Sequence, residues 1–199
     1  MRPSRLSCAA AMSAVVLAFA VPALAQETSP QNNAEMAAIF AADQAVRQVA
    51  PEKFRDRAFV NEMLAADAAR RVQTRALLDT GALQTGEDYR AAAFVFQHGS
   101  TPEDYLLAHT LAVAATARGA DGSWIAAATL DRYLQTTGKP QIYGTQTRKT
   151  NDAPATLEPY DRALIPDSLR TALAVPPQSQ QDARLAAINA AAEAAAPKP

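Results

Sequence analysis

Cysteine is almost missing: the chain of 199 residues holds one, Cys8, and none after it. Disulfides and thiolate metal sites are therefore excluded from the body of the protein, and its stability has to come from packing. Histidine is nearly as scarce. His98 and His109 stand eleven residues apart, no H-E-x-x-H spacing occurs, and no metal is expected. The chain also lacks a P-loop, a G-x-G-x-x-G turn and a G-x-S-x-G elbow, so no cofactor is expected either. Runs of one charge are absent as well. Without a basic stretch there is no electrostatic footprint for nucleic acid or anionic lipid.

The apolar residues that are present fall into two kinds. Arg2 and Arg5 precede an apolar stretch, Ala9 to Val21, that is too short to cross a bilayer comfortably, and Pro22-Ala23-Leu24-Ala25 ends it with small residues. Residues 1–25 are read as a signal peptide cleaved before Gln26, which makes the mature chain periplasmic or secreted and leaves it without a membrane segment. Cys8 lies at the start of the apolar stretch, badly placed for a lipid anchor. Losing Arg2 and Arg5 leaves 17 basic residues against 20 acidic ones, a net charge near −3. The remainder is rich in alanine, poor in glycine and only 6% aromatic, a composition that favours closely packed helices in one domain.

Periodicity supports an all-α fold of short helix pairs. Residues 26–33 read as a flexible leader in which Asn32 or Asn33 caps a first helix running from Ala34 to Val49. Pro51 suits the first position of a second helix, whose apolar residues Phe59, Val60, Met63, Leu64, Ala68, Val72 and Leu77 lead to Gly81. Its many charges, among them Arg70, Arg71 and Arg75, read as a solvated face. Thr85 with Asp88, and Thr101 with Pro102 and Asp104, mark the starts of a third and a fourth helix. Ser123 reads as the cap of a fifth helix, on which Trp124 and Asp131 share a stripe. Lys139 to Thr147 is expected to be extended and pinned against the helices. A loop then leads to a short helix, Asp167 to Leu173. The helical domain is thus expected over residues 34–175. Residues 176–199 read as a low-complexity tail outside the core, whose removal would leave thermal stability nearly unchanged.

Several polar residues sit where apolar ones would be expected. Asp43 and Arg47 lie four apart on or beside the first helix's apolar stripe, either as a surface pair, a buried pair or a ligand clamp. His98 ends the third helix, where it can interact with terminal carbonyls, and His109 lies on a half-apolar face of the fourth. Asp131 needs a partner, because burying it unpaired would cost several kcal/mol. The expected cluster comprises Gln97, His98, His109, Asp131, Arg132, Tyr143 and Gln146, with Asp43 and Arg47. Its structural reading has Asp131 and Arg132 hold the Tyr143 to Gln146 segment.

The combination Phe96-Gln97-His98, Leu130-Asp131-Arg132 and Gln141-Ile142-Tyr143-Gly144-Thr145-Gln146, with Asp43-Gln44-x-x-Arg47 upstream, resembles an uncharacterised family of bacterial helical domains with a QH…DR…YGTQ signature. The likeness runs from Ala37 to Leu173 and implies no particular activity. Gly81-Ala82-Leu83 departs from it, lacking the Trp-Pro that follows this glycine in the family. Gly99, Asp104-Tyr105, Ala108, Ala114-Ala115 and Gly119 also resemble one unit of a Sel1-type helical repeat, which implies stacked helix pairs.

Two functions follow as expectations. One is a non-catalytic binding or interaction domain for a protein or small-molecule ligand. The other is a hydrolase-like enzyme in which His98 or His109 acts as general base and Asp131 orients it.

Overall fold

The computed structural model describes residues 30–150 and 153–195. Residues 1–25, expected to be a signal peptide, residues 26–29 of the expected leader and the last four residues lie outside the described residues. The fold is all-α, with helices α1 (Ala34–Ala45), α2 (Arg57–Asp79), α3 (Gly86–Phe96), α4 (Pro102–Ala117), α5 (Ser123–Thr136), α6 (Asp167–Ala172) and α7 (Gln178–Ala194). Among the described residues the only β pairing is two isolated bridges, Gln141 with Tyr160 and Arg148 with Thr156.

Side-chain caps set most of the helix starts. The Asn33 side chain accepts from Met36 N at 2.9 Å, while its own backbone N–H donates to Asp88 at 2.7 Å. The end of the leader is thereby fastened to the start of α3. Both α3 and α4 open with reciprocal capping boxes, Thr85 with Asp88 and Thr101 with Asp104. Two starts differ from expectation. Pro51 opens only a 3₁₀ turn, Pro51–Arg55, because Asp56 is extended and caps α2 itself by accepting from Ala58 N at 2.9 Å. Ser123 is the first residue of α5 and not its cap. Gly122 takes the cap position so close to α4 that a Cβ there would stand 2.7 Å from Thr116 Oγ1.

Short connections fold α4 back on α3 and α5 back on α4, and α1 and α2 lie against α3. The core between them is built from Met36 and Ile39 of α1, Ala91, Ala92, Ala93, Val95 and Phe96 of α3, Ala108, Leu111 and Ala112 of α4, and Ile125 of α5. Alanines at these positions let the helix axes approach closely, so the small side chains set the spacing.

Two helices bury faces that the sequence did not indicate. On α2 the buried residues are Asp67 and Thr74, whereas Leu64 and Val72 are 54% and 70% exposed. On α5 Trp124 is 41% exposed, so the buried stripe begins at Ile125 and continues through Ala127 and Ala128 to the fully buried Asp131.

The C-terminal part corrects the expectation of a tail outside the core. Residues 178–194 form α7, and Gln181 is buried, donating to the carbonyls of Tyr143 at 2.7 Å and Pro176 at 2.8 Å and accepting from Tyr160 Oη at 3.0 Å. Asn189 pairs twice with the Ala155 backbone, at 2.7 and 3.0 Å. Gly144 makes the approach feasible: its φ is +76°, and Gln181 Oε1 and the Tyr160 ring occupy the space where a Cβ would sit. Low-complexity composition hid these contacts because their partners lie far away in sequence. Replacing Gln181 by Ala is expected to lower stability by about 2 kcal/mol, since buried partners lose their hydrogen bonds. Thermal unfolding followed by circular dichroism would show this, and an unchanged midpoint would mean that α7 contributes nothing to the fold.

Candidate functional site

The polar residues singled out from the sequence separate into three groups. The first is a closed ring of charges between α1 and α2. Arg47 Nη1 reaches Asp43 Oδ1 at 3.0 Å, Arg47 Nη2 reaches Asp67 Oδ2 at 2.8 Å, and Arg70 joins Asp67 to Asp43, with its Nε 3.6 Å from Asp43 Oδ1. Asp43 is wholly buried and Asp67 nearly so. Burial raises the Asp43 pKa, and Arg47 with the Gln44 amide offsets only part of that. Burial acts on Asp67 in the same direction, but hydrogen bonds from Arg47 and Arg70 prevail and hold its carboxyl below the ordinary value. The buried pair was thus the correct alternative for Asp43 and Arg47. Arg70 belongs to the same ring, so not all of the α2 charges form a solvated face.

His98 borders this ring. Its Nε2 is 3.6 Å from Asp43 Oδ2, too long for a hydrogen bond, and has no other partner among the described residues. Burial and the positive charge of Arg47 push its pKa down to about 3, so the imidazole is neutral at neutral pH. Its carbonyl accepts from Arg71 Nη1 at 2.8 Å, which fastens the end of α3 to α2. The preceding Gln97 is buried.

The second group is centred on Asp131. One carboxylate oxygen accepts from the backbone N–H of Ile142 at 2.8 Å and of Tyr143 at 3.0 Å, and the other accepts from Thr145 N at 2.9 Å and Thr145 Oγ1 at 2.7 Å. Gln146 adds a bond to the Ala128 carbonyl at 3.1 Å. Buried Gln141 braces the loop from within, donating to Gln146 O at 2.9 Å and accepting from Gln146 N at 2.9 Å. The segment is a tight polar loop fastened to α5, with Arg170 donating to Ile142 O at 3.2 Å from the far side. Burial and the Asp131 charge raise the pKa of the Tyr143 hydroxyl.

The third group lies about 100° further round α5. Arg132 makes no hydrogen bond to the loop, and it meets only the loop's last residue, Gln146. It lines a pocket of about 220 Å³ with Tyr105, Gln135, Thr136, Gln146 and Arg148. Arg132 Nε and Gln135 Nε2 are buried there without partners among the described residues. Burial lowers the Arg132 pKa, and the neighbouring Tyr105 hydroxyl offsets this in part.

His109 stands apart from all three groups. Its Nδ1 lies 2.9 Å from the Ala126 carbonyl, which only accepts, so Nδ1 carries the proton and the ring ties α4 to α5. Neither histidine is among the hydrogen-bond partners of Asp131, whose two oxygens already receive four donors. The structure does not assemble the His/Asp pair that a general base with Asp131 as orienter requires. Among the described residues no group of three acidic, histidine or cysteine side chains is placed to hold a metal ion.

The sequence reading missed Asp67, Arg70 and Gln181. A signal for the first existed: Val60, Asp67 and Thr74 recur at intervals of seven, the spacing of one inward helix face.

A fourth feature is apolar. A groove of about 610 Å³ runs beside α2, floored by Ala68, Val72, Phe96 and Leu107 and edged by Arg71, Arg75, Glu103 and Asp104. No family model, curated protein or solved structure matches the chain.

Proposed function

We propose that the chain is an exported, soluble domain that binds an amphipathic peptide segment of a partner and does no chemistry on it. The observation that supports this most directly is the apolar stripe of α2, where Leu64 and Val72 are more than half exposed beside a groove continued by Phe96 and Leu107. Burying a leucine or valine side chain is worth about 1.5–3 kcal/mol, and on α2 that gain is available only to an incoming surface. Residues 64, 68 and 72 repeat every four positions, the register in which a second helix lays its own apolar residues into a groove. Charges of both signs line the groove, Arg71 and Arg75 with Glu103 and Asp104, and can pair with a segment that carries both.

Export is supported by the basic, apolar and small-residue succession of residues 1–25. Among the described residues no helix is long and apolar enough to cross a membrane. The likeness to the QH…DR…YGTQ family accords with a helical binding domain and adds no activity.

One preparation tests both halves. Protein recovered from the periplasm or medium is expected to have an intact mass that begins at Gln26. Used to select peptides from a displayed library, it should enrich sequences with apolar residues three or four apart, and Val72→Glu should abolish their binding while leaving the fold unchanged. Peptides that bind Val72→Glu equally well would remove α2 as the docking face, and a retained N-terminus would remove export.

A further inference from the structure

The pocket beside Arg132 on α5 has the chemistry of an anion site. Its six lining residues, Tyr105, Arg132, Gln135, Thr136, Gln146 and Arg148, include two guanidinium groups and no carboxylate. Neither arginine has an acidic partner within ion-pair distance among the described residues; for exposed Arg148 this is shared with Arg55, Arg57 and Arg118, but Arg132 is partly buried. Desolvating an arginine without a counter-charge is costly, and its buried Nε normally finds an acceptor. Here Arg132 Nε has none, and neither has the adjacent Gln135 Nε2.

The other polar groups in the pocket are already committed. Tyr105 Oη donates to Gly99 O at 2.8 Å, Thr136 Oγ1 to Arg132 O at 2.7 Å, and Gln146 Nε2 to Ala128 O at 3.1 Å. What the pocket still offers is therefore donors and positive charge: the remaining N–H groups of the Arg132 guanidinium beside the Gln135 side chain, and exposed Arg148. The edge of a guanidinium donates to two oxygens of one oxyanion, and an amide N–H beside it adds a third bond. A volume of about 220 Å³ falls below that of sites for drug-sized ligands, which fits a small metabolite better than a nucleotide.

We propose that this pocket binds a short-chain dicarboxylate, one carboxylate held by Arg132 and Gln135 and the other by Arg148. Two separated cationic groups set the preference for two separated negative charges over a single compact one. The site is independent of the α2 groove.

Isothermal titration of the mature protein with succinate, acetate and inorganic phosphate, each at matched ionic strength, tests the assignment. Succinate is expected to bind with one-to-one stoichiometry and about tenfold more tightly than either acetate or phosphate. Arg148→Gln, at an exposed position that does not threaten the fold, should weaken succinate about tenfold and bring it level with acetate. Arg132→Gln should remove saturable binding of both carboxylates. Absence of saturable heat with succinate, or an unchanged succinate affinity in Arg148→Gln, would overturn the site. Phosphate binding more tightly than succinate would overturn the ligand class.

Discussion

Asp131→Ala is expected to lower the stability of the protein by about 3 kcal/mol, among the largest effects of any single side chain here. The buried carboxylate receives four donors from one loop, and truncation leaves the N–H groups of Ile142, Tyr143 and Thr145 without acceptors. Each unsatisfied buried group costs about 1–3 kcal/mol, reduced to the extent that the loop opens to water. Asp131→Asn keeps the shape and one accepting oxygen but turns an NH₂ toward two donors, so an intermediate loss of about 2 kcal/mol is expected. Urea midpoints of the two variants should follow the order wild type, Asn, Ala. The Ala variant should also become sensitive to proteolysis between residues 141 and 195, where the chain depends on the loop. A wild-type midpoint in Asp131→Ala would show that the carboxylate does not hold the fold.

Acid is expected to weaken the protein well above the ordinary carboxylate range. His98 titrates at about 3 in the folded state against 6.5 when unperturbed, so between these values the unfolded chain binds a proton that the native chain does not. Stability must then fall as the pH drops from about 6.5 toward 3, with a slope approaching ~1.4 kcal/mol per pH unit. The side chain keeps about a fifth of its exposure, so the full loss is reduced by solvent to about 2–4 kcal/mol. Asp67 and Asp88, both held below 3.8, add stability that is present above that value and is lost as the pH falls through their folded values. Asp43 runs the other way: its folded pKa is raised, so its contribution is complete below 3.8 and is lost as the pH rises through the folded value. The histidine's contribution is read by removing it. His98→Gln should show a flatter stability profile below about pH 6.5 than wild type, measured by urea unfolding at each pH. Parallel profiles would mean that His98 is not held neutral.

The residues that could be read in advance share one property: their anomaly is local. Asp131 stands among alanines on one helix face, and an acid in that setting demands donors from somewhere nearby. The loop that supplies them begins eleven residues later. The capping boxes of α3 and α4 were legible for the same reason, each being complete within four residues. Asp67 and Arg70 were hidden because α2 is dense in charge on several faces, and hydropathy alone cannot tell which acid turns inward. Leu64 and Val72 misled in the opposite direction, because an apolar stripe marks a surface that excludes water without saying whether its cover belongs to the same chain. Arg132 was grouped with Asp131 by adjacency, yet neighbouring residues on a helix point about 100° apart and these two serve different sides of α5. The docking of α7 was out of reach altogether. Gln181 meets Tyr143 across 38 positions, and nothing in an Ala/Gln-rich segment signals a partner at that distance.

The Tyr143 to Gln146 loop stands between two bodies of different construction. On one side are helices joined by a continuous apolar core, and on the other is an arm with a few buried apolar residues of its own, Leu157 and Val175 among them, which Asp131, Arg170 and Gln181 fasten to the loop by hydrogen bonds. Apolar contact is nondirectional and yields gradually, whereas hydrogen bonds fail once geometry is lost. The arm is therefore expected to loosen before the helices part, and it can dock only once Asp131 near the end of α5 is in place. During synthesis α7 leaves the ribosome after α1 to α5, so the helices of the body can pair before the segment that docks on the loop becomes available.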